Sequence, residues 1–131
     1  MTPNDRNIIV RQQIEKSRLF LSQAKEMCDL SHWDLAANRY YYSCYHLVQG
    51  LLISEGLSAH THAGLLRVFS NAFVRTNRVP LEYGGFLSRL VQLREKADYN
   101  CSFVVTKEEI EALGPLVDDF VETISAIIQI P

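Results

Sequence analysis

Apolar residues recur at helical spacing along most of the chain, and no segment alternates apolar and polar residues as a half-buried strand would. The first predicted helix runs from about Ile8 to Asp29, after a polar N-terminal tail over residues 1–7. One apolar stripe follows this helix. The stripe consists of Val10, Ile14, Leu21, Ala24 and Cys28. The small polar residues of Ser31–Asp34 can cap a helix and predict the start of the next one.

The second predicted helix runs from about Asp34 to Glu55 and is apolar almost all round. Such a helix belongs at the centre of a bundle, because no face of it prefers water. Gly56 follows as a C-terminal cap. A third helix is predicted from about His62 to Thr76, and Asn77–Pro80 ends it.

A fourth helix is predicted over Glu82–Ala97, followed by a loop over Asn100–Val105. Thr106 and the acidic residues after it form a capping box that starts the last helix. Gly114-Pro115 predicts a kink or two short helices in line, because proline removes a helical hydrogen bond. Amphipathic helices with short connections predict an all-α fold, an antiparallel up-and-down bundle of four to five helices.

Composition supports one globular domain over residues 1–131. Hydrophobic residues make up 47% of the chain and charged residues 21%, which excludes a disordered protein. The formal net charge is −2, so no overall basic field attracts nucleic acid or membranes. Any contact with RNA must therefore come from a local basic patch.

Three cysteines, Cys28, Cys44 and Cys101, are odd in number and widely spaced, without a CxxC pair. They predict reduced, mostly buried thiols in a reducing compartment. The polar N-terminus lacks the apolar stretch of a signal peptide, and the apolar runs are too short to span a bilayer. These features predict a cytoplasmic protein without a membrane interaction.

The first segment with candidate chemistry is Tyr40–His46, which contains four tyrosines. Tyr42 and His46 are four residues apart and therefore share a helix face. They can form a polar cluster that opens onto a site. Alternatively, the aromatics form a core seam whose hydroxyl groups find local partners, which is the commoner role of such stripes.

The second segment is His60-Thr61-His62. Two histidines two residues apart can bind a metal, but no third or fourth ligand lies nearby in sequence. Capping of the third helix by Thr61 is the simpler interpretation. The chain also lacks a glycine-rich phosphate loop and the HExxH metalloprotease motif. The sequence thus predicts neither a metal nor a cofactor.

The third segment is Arg94–Asn100, at the end of the fourth predicted helix. Arg94 and Asp98 are four apart and can form an intrahelical ion pair, which contributes little when it is exposed. Arg94 also borders the apolar edge formed by Leu90 and Leu93. At such a border the planar guanidinium is well placed to bind phosphate. The residues alone leave both interpretations open.

These segments occur in an order that resembles the HEPN family, in its small standalone prokaryotic branch. The resemblance covers about Ser17 to Ile127. It rests on the ordered set Arg39–His46, Leu51-Leu52, Gly56, His62-Ala63-Gly64, Phe69, Phe73-Val74 and Arg94–Tyr99.

The resemblance implies a helical bundle that forms a homodimer. Many HEPN proteins are metal-independent endoribonucleases, often toxins, encoded beside a minimal nucleotidyltransferase. Their motif is an arginine followed, after four to six residues, by a histidine. In a cleft between the two copies, the arginine holds phosphate charge and the histidine transfers protons to or from the ribose 2′-hydroxyl and the leaving oxygen.

Arg94 matches the arginine of that motif, but the positions expected for the histidine hold Tyr99, Asn100 and Cys101. Tyrosine, with an ordinary pKa of about 10, is a poor general base at neutral pH. The resemblance therefore implies a non-catalytic or weakly active domain that binds a nucleotide, RNA or a partner protein around Arg94. The expected binding residues are Arg94, Asp98, Tyr99, Asn100, Tyr42, His46 and His62.

Two alternatives remain open. In the first, the chain is an active ribonuclease in which His46 or His62 replaces the missing histidine beside Arg94. In the second, the chain is a partner or substrate of a nucleotidyltransferase, with Tyr99 as the residue that is modified, as tyrosines near the motif are in some relatives.

Overall fold

The computed structural model describes residues 1–130, and these residues form helices and connections without a strand. The five α-helices confirm the predicted all-α class. They are α1 (Pro3–Asp29), α2 (Trp33–Ser54), α3 (His62–Phe69), α4 (Glu82–Tyr99) and α5 (Lys107–Ile127).

Helix α1 begins at Pro3, so the prediction of a polar tail over residues 1–7 was wrong. Thr2 caps the helix through a reciprocal capping box with Asp5, in which each side chain accepts from the other's backbone N–H. Pro3 occupies the first helical position, where a missing N–H costs nothing. This Thr-Pro-x-Asp signal was present in the sequence, but the polarity of the segment obscured it.

The turn between α1 and α2 differs from its prediction. Ser31 adopts a left-handed backbone conformation, with φ of 61°, just after the C-terminal cap of α1. The Ser31 N–H bonds the Cys28 carbonyl and the His32 N–H bonds the Met27 carbonyl, which is a Schellman motif. Ser31 therefore ends α1 rather than starting α2, and His32 provides no side-chain cap to α2.

Gly56 ends α2 in the predicted manner, with φ of 75° and a second Schellman motif that Leu57 completes. Helix α3 then starts after the predicted Thr61 cap and passes into a π-helical turn over Ser70–Val74. The Arg75 N–H bonds the Ser70 carbonyl five residues back, which widens the helix there.

Helix α5 runs unbroken through Pro115, so the prediction of two short helices in line was wrong. Its start at Thr106 carries the predicted capping box with Glu109. Gly114 lies against Tyr40 of α2, whose hydroxyl is 3.1 Å from where a Cβ atom would be. Packing of α5 along α2 thus outweighs the one hydrogen bond that proline removes.

The contacts between helices establish the up-and-down topology. Cys28 and Ser17 of α1 meet Tyr40 and Ser43 of α2, so the two helices are antiparallel. Helix α4 runs antiparallel to both α2 and α5, through pairs such as Asn38–Asp98 and Tyr83–Asp119. Helix α2 contacts each of the other α-helices, and its buried residues form the centre of the core.

The buried side chains confirm the central position of α2. Eleven of its residues are buried, compared with three in α1 and four in α5. The aromatic rings of Phe69, Phe86 and Tyr83 pack around Phe120 at centroid distances of 4.9 to 6.0 Å. This aromatic cluster joins α3, α4 and α5. The candidate site lies beside it, between α2 and α4.

The cysteine prediction was right for Cys44, which is buried, and wrong for Cys101, which is exposed. All three thiols are free. Within residues 1–130, no helix combines the length and apolarity that crossing a bilayer requires.

Candidate functional site

Arg94 projects from α4 against the tyrosine-rich face of α2. Its guanidinium carbon lies 5.1 Å from the ring centre of Tyr41, 5.6 Å from that of Tyr42 and 5.8 Å from that of Tyr99. Only 6% of the residue is exposed. Aromatic faces attract a cation electrostatically, so three rings partly replace the water that Arg94 loses.

The hydrogen-bonding capacity of Arg94 is largely unused. A guanidinium has five N–H donors, and its charge persists at any physiological pH. The nearest carboxylate oxygen, from Asp98, is 3.6 Å from one terminal nitrogen, too far for a good hydrogen bond. The Nε atom is buried and has no hydrogen-bond partner among residues 1–130. A buried donor without an acceptor costs free energy, so the surroundings of Arg94 leave this cation without its full set of hydrogen bonds.

Asp98 is held in place from the opposite helix. The Asn38 side-chain amide of α2 donates to the Asp98 carboxylate at 3.2 Å. The Asn38 carbonyl in turn accepts from Arg39 at 3.3 Å. The expected Arg94–Asp98 pair is therefore present, but it connects a buried arginine to an interhelical network and is not an isolated surface pair.

His62 joins the site from α3, through Tyr41. Nδ1 of His62 is hydrogen-bonded to the Tyr41 hydroxyl, and the two rings are 5.7 Å apart. The Tyr41 ring also faces the Arg94 guanidinium, so one tyrosine contacts both groups. The Thr61 cap holds this arrangement, because it places His62 at the first position of α3.

The electrostatics of the site favour a neutral imidazole beside a charged guanidinium. Burial lowers the pKa of His62, the positive charge of Arg94 lowers it further, and Glu95 opposes both effects. Burial raises the pKa of the Tyr41 hydroxyl, although Arg94 opposes this shift. At neutral pH, the His62 ring is therefore uncharged, and the Tyr41 hydroxyl keeps its proton.

Tyr42, Tyr45 and His46 form the half-buried border of the site on α2. The Tyr45 ring lies 5.0 Å from His62 and 5.3 Å from His46. His46 Nδ1 pairs with the Gln13 side-chain oxygen at 2.8 Å. Burial and the charge of Lys16 lower the pKa of His46. His46 therefore lies on the α1 side of Tyr42, whereas His62 lies on the Arg94 side.

The core interpretation of the tyrosine segment is confirmed for Tyr40 and Tyr41, and the site interpretation stays a prediction for Tyr42. Tyr40 and Tyr41 are core residues whose hydroxyl groups find partners in Cys28 and His62. Tyr42 and Tyr45 are only half buried and line the site. The tyrosine stripe of α2 therefore packs into the core along one edge and lines the candidate site along the other.

Tyr99 is the last residue of α4, and Asn100 caps the helix. Tyr99 is 75% exposed, which a residue modified by another enzyme must be. Asn100 is exposed at the end of the helix, and its side-chain oxygen accepts from the Ser102 N–H at 3.0 Å. This local bond shapes the following turn, and the part of Asn100 in binding stays a prediction.

The structure thus brings Arg94, Asp98, Tyr99, Tyr42 and His62 together, with His46 at the border. Sequence reasoning missed Asn38, Tyr41 and Tyr45 as part of the site. For Asn38 and Tyr45, helical spacing was the available signal, since they lie four residues before and three residues after Tyr42. Tyr41 is adjacent to Tyr42 and had no such signal.

His60 is exposed and is not part of this group. No group of three metal-binding side chains occurs in the part of the chain that the structure describes. A cavity of about 370 Å³ lies elsewhere, between α4 and α5, and is lined mainly by apolar residues. It includes Leu93 and Lys96 but none of the expected binding residues.

Comparison with known proteins identifies the family to which the chain is similar. The model of the HEPN domain matches residues 10–127. Two relatives from Methanocaldococcus jannaschii bear the names "Putative toxin MJ0142" and "Putative toxin MJ0605". The first is 30% identical, over 76% of this chain and 68% of its own, and the second is 32% identical, over 85% and 82%.

A third relative, named "UPF0332 protein", comes from Thermotoga maritima and is 29% identical over 96% of both chains. The family match covers α1 from Val10 onwards and the whole of α2, α3, α4 and α5. It includes every residue of the candidate site. The chain therefore belongs to the HEPN family.

Proposed function

We propose that the chain is an RNA-binding HEPN domain in which Arg94 contacts a phosphate of the RNA. One observation carries the proposal: Arg94 is 6% exposed, and its buried Nε has no acceptor within the described residues. A phosphate offers several anionic oxygens in the geometry that a guanidinium fork fits. The exposed Tyr99 ring beside Arg94 offers a surface on which a base can stack.

The proposal predicts that binding depends on the guanidinium and not on charge alone. Fluorescence anisotropy with a labelled single-stranded oligouridylate would give the dissociation constants of wild type, Arg94→Lys and Arg94→Met. We expect Arg94→Met to weaken binding by about tenfold or more, since hydrogen bonds to charged groups contribute about 1.5–3 kcal/mol. Arg94→Lys should retain part of the affinity, because it keeps the charge and loses the fork.

Arg89→Met is the matched control. Arg89 is an exposed residue of α4 beside the apolar cavity, so this variant removes the same charge from the same helix. Circular dichroism would verify that each variant is folded. If the Arg94 and Arg89 variants weaken binding equally, or neither does, Arg94 is not the phosphate contact.

A second candidate function is metal-independent RNA cleavage with His62 as the proton-transfer group. The observation that favours it is the Tyr41 hydrogen bond, which orients a neutral imidazole near Arg94. Nδ1 takes part in this bond, which leaves Nε2 to exchange a proton with the ribose 2′-hydroxyl or the leaving oxygen. Arg94 would stabilise the charge on the phosphate during this step.

Incubation with RNA in EDTA separates cleavage from binding alone. The cleavage proposal predicts that His62→Gln abolishes cleavage, whereas His46→Gln retains it, because His46 is engaged with Gln13 on the other side of Tyr42. Wild-type protein that binds RNA without cutting it would support the binding function alone. Cleavage that survives His62→Gln would exclude His62 as the proton-transfer group.

The homodimer that the family resemblance implies belongs to the same proposal. Two copies that place their Arg94 side chains across one cleft would form a wider phosphate-binding surface than a single chain offers. Light scattering after size-exclusion chromatography would give the mass in solution. The mass of one chain is 15.0 kDa. The measured mass should be twice this value if the dimer forms, and equal to it if the chain is a monomer.

A further inference from the structure

We propose that the RNA path continues from Arg94 across α2 to a second contact region where α1 packs against α2, and that it binds an unpaired strand. We call this region the α1 platform and define it by Lys16 and Phe20 of α1 and Arg39 of α2. The inference rests on the proposed RNA-binding function, and it adds where the strand runs and that its bases must be unpaired.

Tyr42 connects the two regions. Its ring centre lies 5.6 Å from the Arg94 guanidinium carbon on one side and 6.3 Å from the Phe20 ring centre on the other. His46 fills the corner, at 5.3 Å from Phe20 and 6.3 Å from Tyr42. Half-buried aromatic rings are therefore continuous from the site to the α1 platform.

Two cations flank the Phe20 ring. The Lys16 ammonium lies 5.3 Å from the ring centre and the Arg39 guanidinium carbon 4.8 Å from it. Neither cation has an ion-pair partner within residues 1–130, and Arg39 instead donates to the neutral Asn38 side chain. Both charges are therefore available to phosphate groups, in a protein whose net charge is −2.

Aromatic rings between unpaired cations are typical of surfaces that bind single strands, because an unpaired base stacks on a ring while its phosphates meet the cations. A duplex hides the faces of its bases and offers only phosphates. At about 3.4 Å per stacked nucleotide, the two steps from Arg94 through Tyr42 to Phe20 correspond to about three nucleotides. The path is therefore a short one, and the carboxylates of Glu95 and Asp98 flank its Arg94 end.

The test compares the double variant Lys16→Gln/Arg39→Gln and the single variant Phe20→Leu with wild type. Binding of a labelled oligouridylate of twelve nucleotides, and of a duplex of the same length, would be measured at several salt concentrations. We expect the double variant to reduce the salt dependence of single-strand binding, by about 0.7 in log–log slope for each phosphate contact removed. Phe20→Leu should weaken single-strand binding by about five- to tenfold, with an unchanged salt slope.

Arg18→Gln is the control for charge. Arg18 is an exposed residue of α1, two positions from Lys16, which places it about 200° around the helix. It should change the salt slope less than the platform variants do. Urea unfolding would verify that Phe20→Leu remains folded, and the double variant of the two cations tests the path independently of that packing change.

The outcomes separate this inference from the proposed function. If wild type binds RNA through Arg94 but the platform variants behave like Arg18→Gln, the path is wrong and the function stands. If wild type binds no RNA, the function itself fails. Equal affinity for duplex and single strand would also overturn the path, as would a change in oligomeric mass that accompanies the platform substitutions without a change in RNA affinity.

Discussion

The hydroxyl of Tyr41 is hydrogen-bonded to Nδ1 of His62, while the face of the same ring covers the guanidinium of Arg94. Three helices thus meet at one buried tyrosine, since Tyr41 belongs to α2, His62 to α3 and Arg94 to α4. Its hydroxyl sets the orientation of the imidazole and its ring shields the cation from water. Substitution can separate the role of the Tyr41 hydroxyl from that of its ring.

Tyr41→Phe removes the hydroxyl and keeps the ring. We expect it to lower the free energy of unfolding by about 1 kcal/mol, the ordinary contribution of one hydrogen bond. It should also free the His62 ring to rotate, which NMR of the imidazole nitrogens would detect as a change in tautomer populations. An unchanged His62 spectrum would show that Tyr41 does not orient the imidazole.

Stability should fall as the pH drops below about 6.5, the ordinary pKa of histidine. The pKa values of His62 and His46 are lower than this in the folded chain, so the unfolded chain takes up protons first as the pH falls. Their contribution to stability is fully present above about pH 6.5 and is lost as the pH falls through the folded pKa values. Urea unfolding at pH 7 and 5.5 would measure the loss.

His46→Gln/His62→Gln is the variant for this pH effect. It should flatten the dependence of the unfolding free energy on pH between 7 and 5.5, whatever it does to stability at pH 7. If the unfolding free energy of this variant depends on pH as steeply as that of wild type, groups other than His46 and His62 cause the loss of stability.

Ser31→Gly should stabilise the fold. Ser31 has φ of 61°, a conformation that costs an L-residue about 1–2 kcal/mol and glycine almost nothing. Greater freedom of glycine in the unfolded chain offsets part of this gain, so we expect about 0.5–1 kcal/mol in urea unfolding. Ser31→Ala is the control, because it removes the hydroxyl and retains the strain. Equal stability of the two variants would contradict the argument.

Ser17 and Ser43 form a buried pair between α1 and α2. Ser43 donates to the Ser17 carbonyl at 2.8 Å, and the two hydroxyl oxygens are 3.2 Å apart. Ser43→Ala should cost about 1–3 kcal/mol, because it leaves the buried Ser17 hydroxyl without its partner. Ser17→Ala should cost less, because Ser43 keeps its bond to the Ser17 carbonyl. Ser17→Ala/Ser43→Ala should cost less than the sum of the two. Strict additivity in the double-mutant cycle would show that the hydroxyls act independently.

Helix periodicity predicted the five helices and the central position of α2, since an all-round apolar helix has few other places in a bundle. Local capping chemistry was less reliable. Thr61, Gly56 and Thr106 act as predicted, but Ser31 ends α1 because its left-handed backbone is set by the turn and not by its side chain. The π-helical turn and the unbroken course through Pro115 depend on packing between helices, which the local sequence does not encode.

Some residues of the candidate site were predictable from the sequence, but their arrangement was not. The Arg94–Asp98 spacing indicated an ion pair, and Tyr42 was expected at the site. That His62 pairs with Tyr41, and that Asn38 holds Asp98, follows from how α3 and α4 pack on α2. Because these contacts join residues 21 and 60 positions apart, no local pattern predicts them.

The Thr61 cap also affects how long the site stays assembled. His62 lies in the first turn of an eight-residue helix, where the backbone N–H groups depend on the Thr61 side chain rather than on a preceding turn. First turns open locally far more often than a whole domain unfolds. Each opening would carry the imidazole away from Tyr41 while Arg94 stays buried on α4. Hydrogen exchange at the Gly64 amide, which bonds the Thr61 hydroxyl, would therefore report how often the imidazole leaves its place.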